Sequence, residues 1–250
     1  MARQRGIIKL DGTLDDITFQ KTRDGYRAKT AGRVPASRIA TDPKFVRTRE
    51  NMAEFARAGK AASLLKTAFQ SKTRKVGDSR VGSRLVAAMM KVLQEDATND
   101  RGLRTVPGGD LALLQGFDFN VNATVESSIA APFTAAIERV AGEGRISIAS
   151  FIPEDMVKMP VGATHFVVFA TAAEVDFENR SYTVQSKETA VLPWDNNATD
   201  VISLTPTFSM NSTVHLFLAL GIEFMQELHG KYYSLKNGAY NAMSIVKVEQ

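Results

Sequence analysis

An α+β fold is predicted for this chain, with an N-terminal β-hairpin arm and a helical hairpin followed by an antiparallel β-sandwich, Ig-like or jelly-roll-like. Three observations predict it. Short β-favouring runs with Asp-Gly turns open the sequence. Two stretches with apolar residues at helical spacing come next. From Leu114 onward, brief apolar runs alternate with turn residues at regular intervals.

The first 35 residues read as extended. Gly6-Ile-Ile-Lys-Leu-Asp-Gly12 is followed by Leu14, by Ile17-Thr-Phe-Gln-Lys-Thr22, then by Arg23-Asp24-Gly25 and Tyr26-Arg-Ala-Lys-Thr30. Asp-Gly between such runs is a hairpin signal, because glycine accepts positive φ and aspartate tolerates it. Alternation sets Ile17 and Phe19 on one side of the ribbon and Thr18 and Gln20 on the other. A lone hairpin is marginal in water, so this arm needs something to lie against.

Asp42-Pro43 opens a helix, with Asp42 placed to cap free N–H groups and Pro43 suited to the first turn. Its expected apolar stripe is Phe45, Met52, Phe55, Ala56, Gly59, Ala62, Leu65 and Phe69, running to about Ser71, with Gly59 read as permitting close helix packing. Residues 71–78 read as a connection. Asp78 or Ser79 then opens a second helix with the stripe Val81, Leu85, Ala88, Met89 and Val92, and a short connection favours an antiparallel helix pair. The turn-rich residues 98–102 and 106–109 mark a junction, which gives three parts: 1–41, 42–105 and 106–250.

In the last part the expected strands are residues 117–121, 133–140, 145–148, 165–171, 182–185, 201–204, 214–227, 231–235 and 241–248. Gly142-Glu-Gly144, Phe177-Glu-Asn-Arg180, His229-Gly230 and Asn237-Gly238 connect them. Eight or nine short strands at this spacing argue for a sandwich.

Charge sharpens the division. Residues 1–105 carry 23 Lys and Arg against 11 Asp and Glu, whereas residues 106–250 carry 8 against 16. Such asymmetry points to an acidic partner for the first part or to pairing of unlike surfaces between copies, although much of any charge run is solvated surface. The chain has no cysteine, which removes disulfides, thiolate metal sites and a cysteine nucleophile. The N-terminus lacks the apolar core of a signal peptide, and no run reaches the roughly 18 apolar residues of a membrane span. Cytoplasmic synthesis is expected, with no membrane span.

Catalytic constellations are sparse. His165, His215 and His229 are scattered without metal-ligand spacing. Ala58-Gly59-Lys60 lacks the rest of a phosphate loop. Asp195-Asn-Asn-Ala-Thr-Asp200 is rich in oxygen donors that calcium favours, but without the EF-hand glycine and glutamate it reads rather as a loop whose Asn and Asp bond their own backbone. Trp194 beside it raises the alternative of glycan binding. Glu174, Asp176 and Glu178 alternate along a strand end; they read as a charged, solvated edge, with a glycosidase carboxylate pair as the sharper alternative. Asn122, Asn179, Asn197 and Asn211 begin N-x-S/T sequences, common in turns. No enzyme activity, cofactor, metal or small-molecule substrate is expected.

Two functional readings remain. The first is a structural, self-assembling protein, a filament, ring, virion or appendage subunit, in which the basic arm and helices of one copy meet the acidic β-domain of another. Its candidate interface residues are Ile17, Phe19, Tyr26, Arg23, Arg27 and Arg33 on the arm, with Glu174, Asp176 and Glu178 opposite. The second is a nucleic-acid-binding protein acting through the basic third, with Phe19 and Tyr26 as the freer aromatics and Phe45 and Phe55 assigned to the helix core. Gly6-Ile-Ile-Lys-Leu-Asp-Gly12, Asp16-Ile-Thr-Phe19, Lys21-Thr-Arg-Asp-Gly-Tyr26, Asp42-Pro43, Phe45, Arg47-Thr-Arg-Glu-Asn51, Glu54-Phe55 and Tyr233-Ser-Leu-Lys-Asn-Gly-Ala-Tyr-Asn-Ala242 together resemble a family of uncharacterised Bacteroidota proteins. That resemblance spans most of the chain and implies kinship without a mechanism.

Overall fold

The computed structural model describes residues 2–30, 34–235 and 240–250. The chain divides into two compact units, Met1–Glu50 and Asn51–Gln250, each described by itself. The sequence reading instead places its junctions after residues 41 and 105.

In the first unit β1 (Ala2–Arg3), β2 (Gly12–Leu14), β3 (Ile17–Thr22) and β4 (Gly25–Thr30) make an antiparallel sheet in the order β1-β4-β3-β2. Both hairpins have two-residue turns. Asp15-Asp16 joins the paired residues Leu14 and Ile17, with Asp15 at φ 50°, and Arg23-Asp24 joins Thr22 and Gly25. A residue at positive φ in a two-residue turn matches the twist of the flanking strands. The strand expected from Gly6 does not form, and after β1 pairing resumes only at Gly12. The preceding loop is held by Gln4, whose Oε1 accepts from Leu10 N at 2.9 Å, and by Lys9 Nζ, which donates to Gln4 O and Gly6 O.

Residues 36–41, expected to be extended, form the short helix α1 (Ala36–Thr41). Asp42 acts as a cap, as expected: its Oδ1 accepts from Lys44 N at 2.9 Å above a single 3-10 turn, Pro43–Phe45, that leads into α2 (Val46–Ala68). Arg49 ties this corner together by donating to Ile39 O and Asp42 O.

The second unit has three layers. The helical layer comprises the rest of α2 with α3 (Gln70–Val76) and α4 (Val81–Gln94). After α5 (Val125–Ser128) come β5 (Phe133–Glu138), β6 (Glu143–Ile148), α6 (Pro153–Met156), β7 (His165–Asp176), β8 (Ser181–Glu188), β9 (Leu192–Pro193), β10 (Ile202–Leu204), β11 (His215–Leu228), β12 (Lys231–Ser234) and β13 (Ala242–Glu249). A six-stranded sheet runs β12-β11-β7-β8, with β13 also on β11 and β9 also on β7; β10-β6-β5 form a second, three-stranded sheet. The α+β class and the packed antiparallel sheets of the sequence reading are both present. Residues 237–238, expected to turn, lie outside the described residues.

β7 and β11 lie at the centre of the large sheet and are apolar on both faces. Phe169, Val175, Phe217 and Ala219 pack with Leu65, Phe69, Leu85 and Met89 of the helices. Phe166, Val168, Leu218 and Leu220 turn the other way, onto Ile146 and Ile148 of the small sheet. Each such side chain, fully removed from water, stabilises the fold by on the order of 2 kcal/mol. This double burial explains why both strands read as continuous apolar runs.

Four local expectations change. The buried side of α2 is Glu54, Ala58, Ala61, Ala62, Leu65 and Ala68, and Met52 and Phe55 are each 60% exposed, so Phe55 is not core. Gly59 leaves open space where a Cβ would sit, so close helix packing is not its role. Residues 70–76 are helical rather than a connection. Residues 117–121 form no strand, although Phe119 N donates to Met243 O and Ile245 N to Phe117 O along β13. The α4 stripe stands as expected, with Val81, Leu85, Met89 and Val92 buried. Asp78 precedes it, accepting from Arg80 N and from Val121 N, and Arg84 donates to Asp78 and to Asp118 O. Among the described residues, no helix is long and apolar enough to cross a membrane.

Candidate assembly interface

The strand register sorts the arm into two unlike faces. Ile17 pairs with Leu14 and Thr30, Phe19 with Gly12 and Ala28, Lys21 with Tyr26, and Ala28 with Ala2. Directly opposed residues share a face. Leu14, Ile17, Phe19, Tyr26 and Ala28 therefore share one largely apolar face, with Lys21 and Thr30 on the same side, while Thr13, Thr18, Gln20, Arg27 and Lys29 form the polar one.

No described residue of the first unit is buried. Its sheet has an apolar face but no core. Ile7, Ile8, Leu10, Leu14 and Ile17 are all exposed, and Ile7 and Ile8 most of all. Tyr26 is flanked by cations, with Lys9 Nζ 5.8 Å and Lys21 Nζ 5.9 Å from its ring centroid.

The structure thus brings Ile17, Phe19 and Tyr26 onto one surface. Arg27 is on the other, its guanidinium 3.0 Å from Asp24, and Arg23 sits in the β3–β4 turn. Arg33 lies outside the described residues. The sequence reading missed Leu14 as a member of this face, although its placement across a two-residue turn from Ile17 was the available signal.

The three carboxylates do not form one acidic edge. Glu174 is buried in β7, between Leu216 of β11 and Thr183 of β8, and accepts from Ser209 N at 2.9 Å and Ser209 Oγ at 2.8 Å. It is a structural tie and not a solvated residue. Asp176 closes the β7–β8 turn, accepting from the backbone N–H groups of Asn179 and Glu178 and from Asn179 Nδ2. Those bonds, Asn179 N–H foremost, hold its carboxyl below the usual range. Only Glu178 is exposed, and it lines a groove of about 260 Å³ with Arg57, Lys60, Leu64, Pro107 and Arg180.

Part of the charge asymmetry is matched within the chain. Lys72 of α3 reaches Glu188 of β8 at 2.7 Å, and Lys75 reaches the buried Glu223 of β11 at 2.9 Å. The helices share a core with the acidic sheet of their own chain.

Other candidates resolve into structure. Asp195 accepts from Asn197 N and Asn197 Nδ2, so both its oxygens are used within the loop. Trp194 is only partly exposed and donates through Nε1 to Val157 O. Lys60 lies in the middle of α2 and does not follow a strand, as a phosphate loop requires. Among the described residues, no three His, Cys, Asp or Glu side chains gather in a way that could hold a metal ion. Asp118 sits in a second cleft, its carboxyl raised by burial and bonded by Ser244 Oγ, with Glu126 and Lys247 at the rim. No protein-family model, curated protein or solved structure matches the chain.

Proposed function

We propose that this protein is a structural subunit that associates head to tail with copies of itself, the basic arm of one copy covering itself against the acidic β-region of the next. One observation carries the reading: a four-stranded amphipathic sheet whose apolar face holds no buried residue. A sheet of this size gains too little from hydrogen bonds alone and is stabilised when its apolar face is covered.

Charge selects the partner. Residues 1–50 hold 12 Lys and Arg against 6 Asp and Glu, while residues 106–250 hold 8 against 16. Opposite net charges on the two ends of one chain favour contact between unlike surfaces of successive copies. Such contact is heterologous and builds a ring if the rotation closes and a filament if it does not.

The test is sedimentation velocity of the full chain across a concentration series, beside a Leu14→Lys/Ile17→Lys variant that places charge on the apolar face. Wild-type mass is expected to rise with concentration and the variant to remain a monomer. A wild-type chain that stays monomeric up to its solubility limit sinks the proposal. Salt-sensitive retention on DNA or RNA by that monomer would transfer the basic arm to the nucleic-acid reading.

A further inference from the structure

Residues 6–11 have the composition of a strand but form a bent loop tied back by Gln4 and Lys9. Gly-Ile-Ile-Lys-Leu-Asp favours extended structure, yet these residues enter no ladder, and Ile7 and Ile8 have relative exposures of 102% and 81%. β-Branched residues left wholly in water are neither packed nor paired.

The second unit offers a matching edge. β8 bonds to β7 along eight residues and, among the described residues, nothing bonds to its outer side. Alternate residues along that side present free N–H and C=O groups. The other edges are shorter or covered: β12 has four residues, β10 three and β5 six, and β13 is lined by residues 116–119 through Gly116 N to Ile245 O and Phe119 N to Met243 O. β8 carries no proline, glycine or bulge, the usual devices that discourage edge pairing. Lys187 is the lysine that guards it.

We infer, resting on the self-association proposed above, that residues 6–11 of one copy add as a further strand to the outer edge of β8 in a neighbouring copy. Backbone bonds along the edge give the affinity, and side chains on the inner face give the register. Val184 of β8 already packs on the helix-side core, with Tyr182 two residues before it on the same face. An added strand carries Ile8 and Leu10 together on one face, able to extend that core. Charge suits either strand direction: Arg3 and Arg5 come beside Glu188 in an antiparallel addition and beside Glu178 in a parallel one.

The chain has no cysteine, so the contact can be tested by crosslinking. An Ile8→Cys full-length chain is mixed in turn with Tyr182→Cys, Val184→Cys and Ser186→Cys chains, whose positions share the helix-side face of β8, and oxidised, and the products are separated without reductant. Cross-strand neighbours bring Cα atoms within the distance a disulfide requires. The expected result is a covalent heterodimer with at least one partner, lost when Ile7→Pro is added to the Ile8→Cys chain. Oligomers seen by sedimentation with no crosslink to any β8 position overturn strand addition while leaving self-association standing. Monomers throughout overturn both. A crosslink that survives Ile7→Pro unchanged also overturns it, because proline removes a backbone donor from the added strand.

Discussion

Lys72 Nζ lies 2.7 Å from Glu188 Oε2 and 4.6 Å from the ring centroid of Phe169, so one cation on α3 clasps the end of β8 and the face of β7. The partners are 116 residues apart in sequence. The pair belongs to the helix–sheet contact that absorbs part of the basic charge within the chain, and it explains why a segment as polar as residues 70–76 is helical. Its stability comes from partners that no local pattern shows.

Removing each side of this clasp should have unequal effects. Lys72→Ala loses the ion pair, the ring contact and the packing of a side chain only 11% exposed, and is expected to cost about 2 kcal/mol. Glu188 is largely exposed, so Glu188→Gln should cost below about 1 kcal/mol. The Lys72 bond lowers the Glu188 pKa. Its share of stability is thus full above the unfolded carboxylate value and lost as pH falls through the lowered one. Urea titrations of both variants at neutral and acid pH check the order; equal losses would contradict the role given to Phe169.

Asn241 is the polar hub of the second unit. Fully buried, it accepts from Phe224 N at 3.0 Å through Oδ1 and donates through Nδ2 to Lys75 O and Leu235 O, both at 3.2 Å. Asn241→Leu strands one buried donor and weakens two acceptors, and should destabilise by about 3 kcal/mol. Thermal unfolding measures it. A loss under about 1 kcal/mol would mean that neighbouring groups rearrange to replace those bonds.

Two glycines should respond in opposite directions. A Cβ on Gly221 would fall 2.2 Å from Phe169 Cζ and 2.7 Å from Ala242 O, and the latter is backbone that cannot swing aside. Gly221→Ala is expected to cost about 3 kcal/mol. Gly59 has open space around its Cβ position within α2, so Gly59→Ala should stabilise by about 1 kcal/mol through helix propensity. Chemical denaturation of the two variants gives both signs.

Much of the second unit was legible because its strands are either double-faced and apolar, as β7 and β11 are, or bounded by turn residues such as those at 177–180; Glu143 and Gly144, read as part of a connection, instead open β6 behind a turn at 139–142. The α4 stripe was equally plain. α2 misled because its buried side is mostly alanine, and because Glu54 is buried where it accepts from Gly102 N at 2.8 Å. Large apolar residues dominate a helical stripe on paper, so Met52 and Phe55 drew the face to the wrong side. Glu174 misled for a related reason. Alternation correctly put it on a strand but could not show that Ser209, brought in by the chain fold, supplies both of its bonds.

Asp96 should control the acid limit of stability. Its carboxylate accepts from Thr105 N at 2.9 Å, Asn99 Nδ2 at 2.8 Å, Asn99 N at 3.1 Å and Thr98 N at 2.9 Å, which folds residues 98–105 back onto the end of α4. These bonds, led by the Thr105 N–H, hold its pKa far below the usual value. The stability it supplies is therefore complete above the unfolded value and declines as pH falls toward the depressed one. Asp96→Asn should lower stability at neutral pH and flatten its fall on acidification. A variant whose stability profile runs parallel to wild type would exclude Asp96 as the titrating group.

The arm's association should combine two forces with different responses to salt. Attraction between the net-basic first 50 residues and the net-acidic last 145 is screened over about 10 Å at 0.1 M ionic strength. Covering Leu14, Ile17 and Phe19 is apolar burial, which sulfate strengthens. Raising sodium chloride should therefore weaken association in sedimentation experiments, and sodium sulfate at the same ionic strength should weaken it less. Equal weakening by both salts would assign the contact to charge alone. No weakening by either would leave the apolar face of the arm as its whole basis and remove charge as the feature that selects the partner surface.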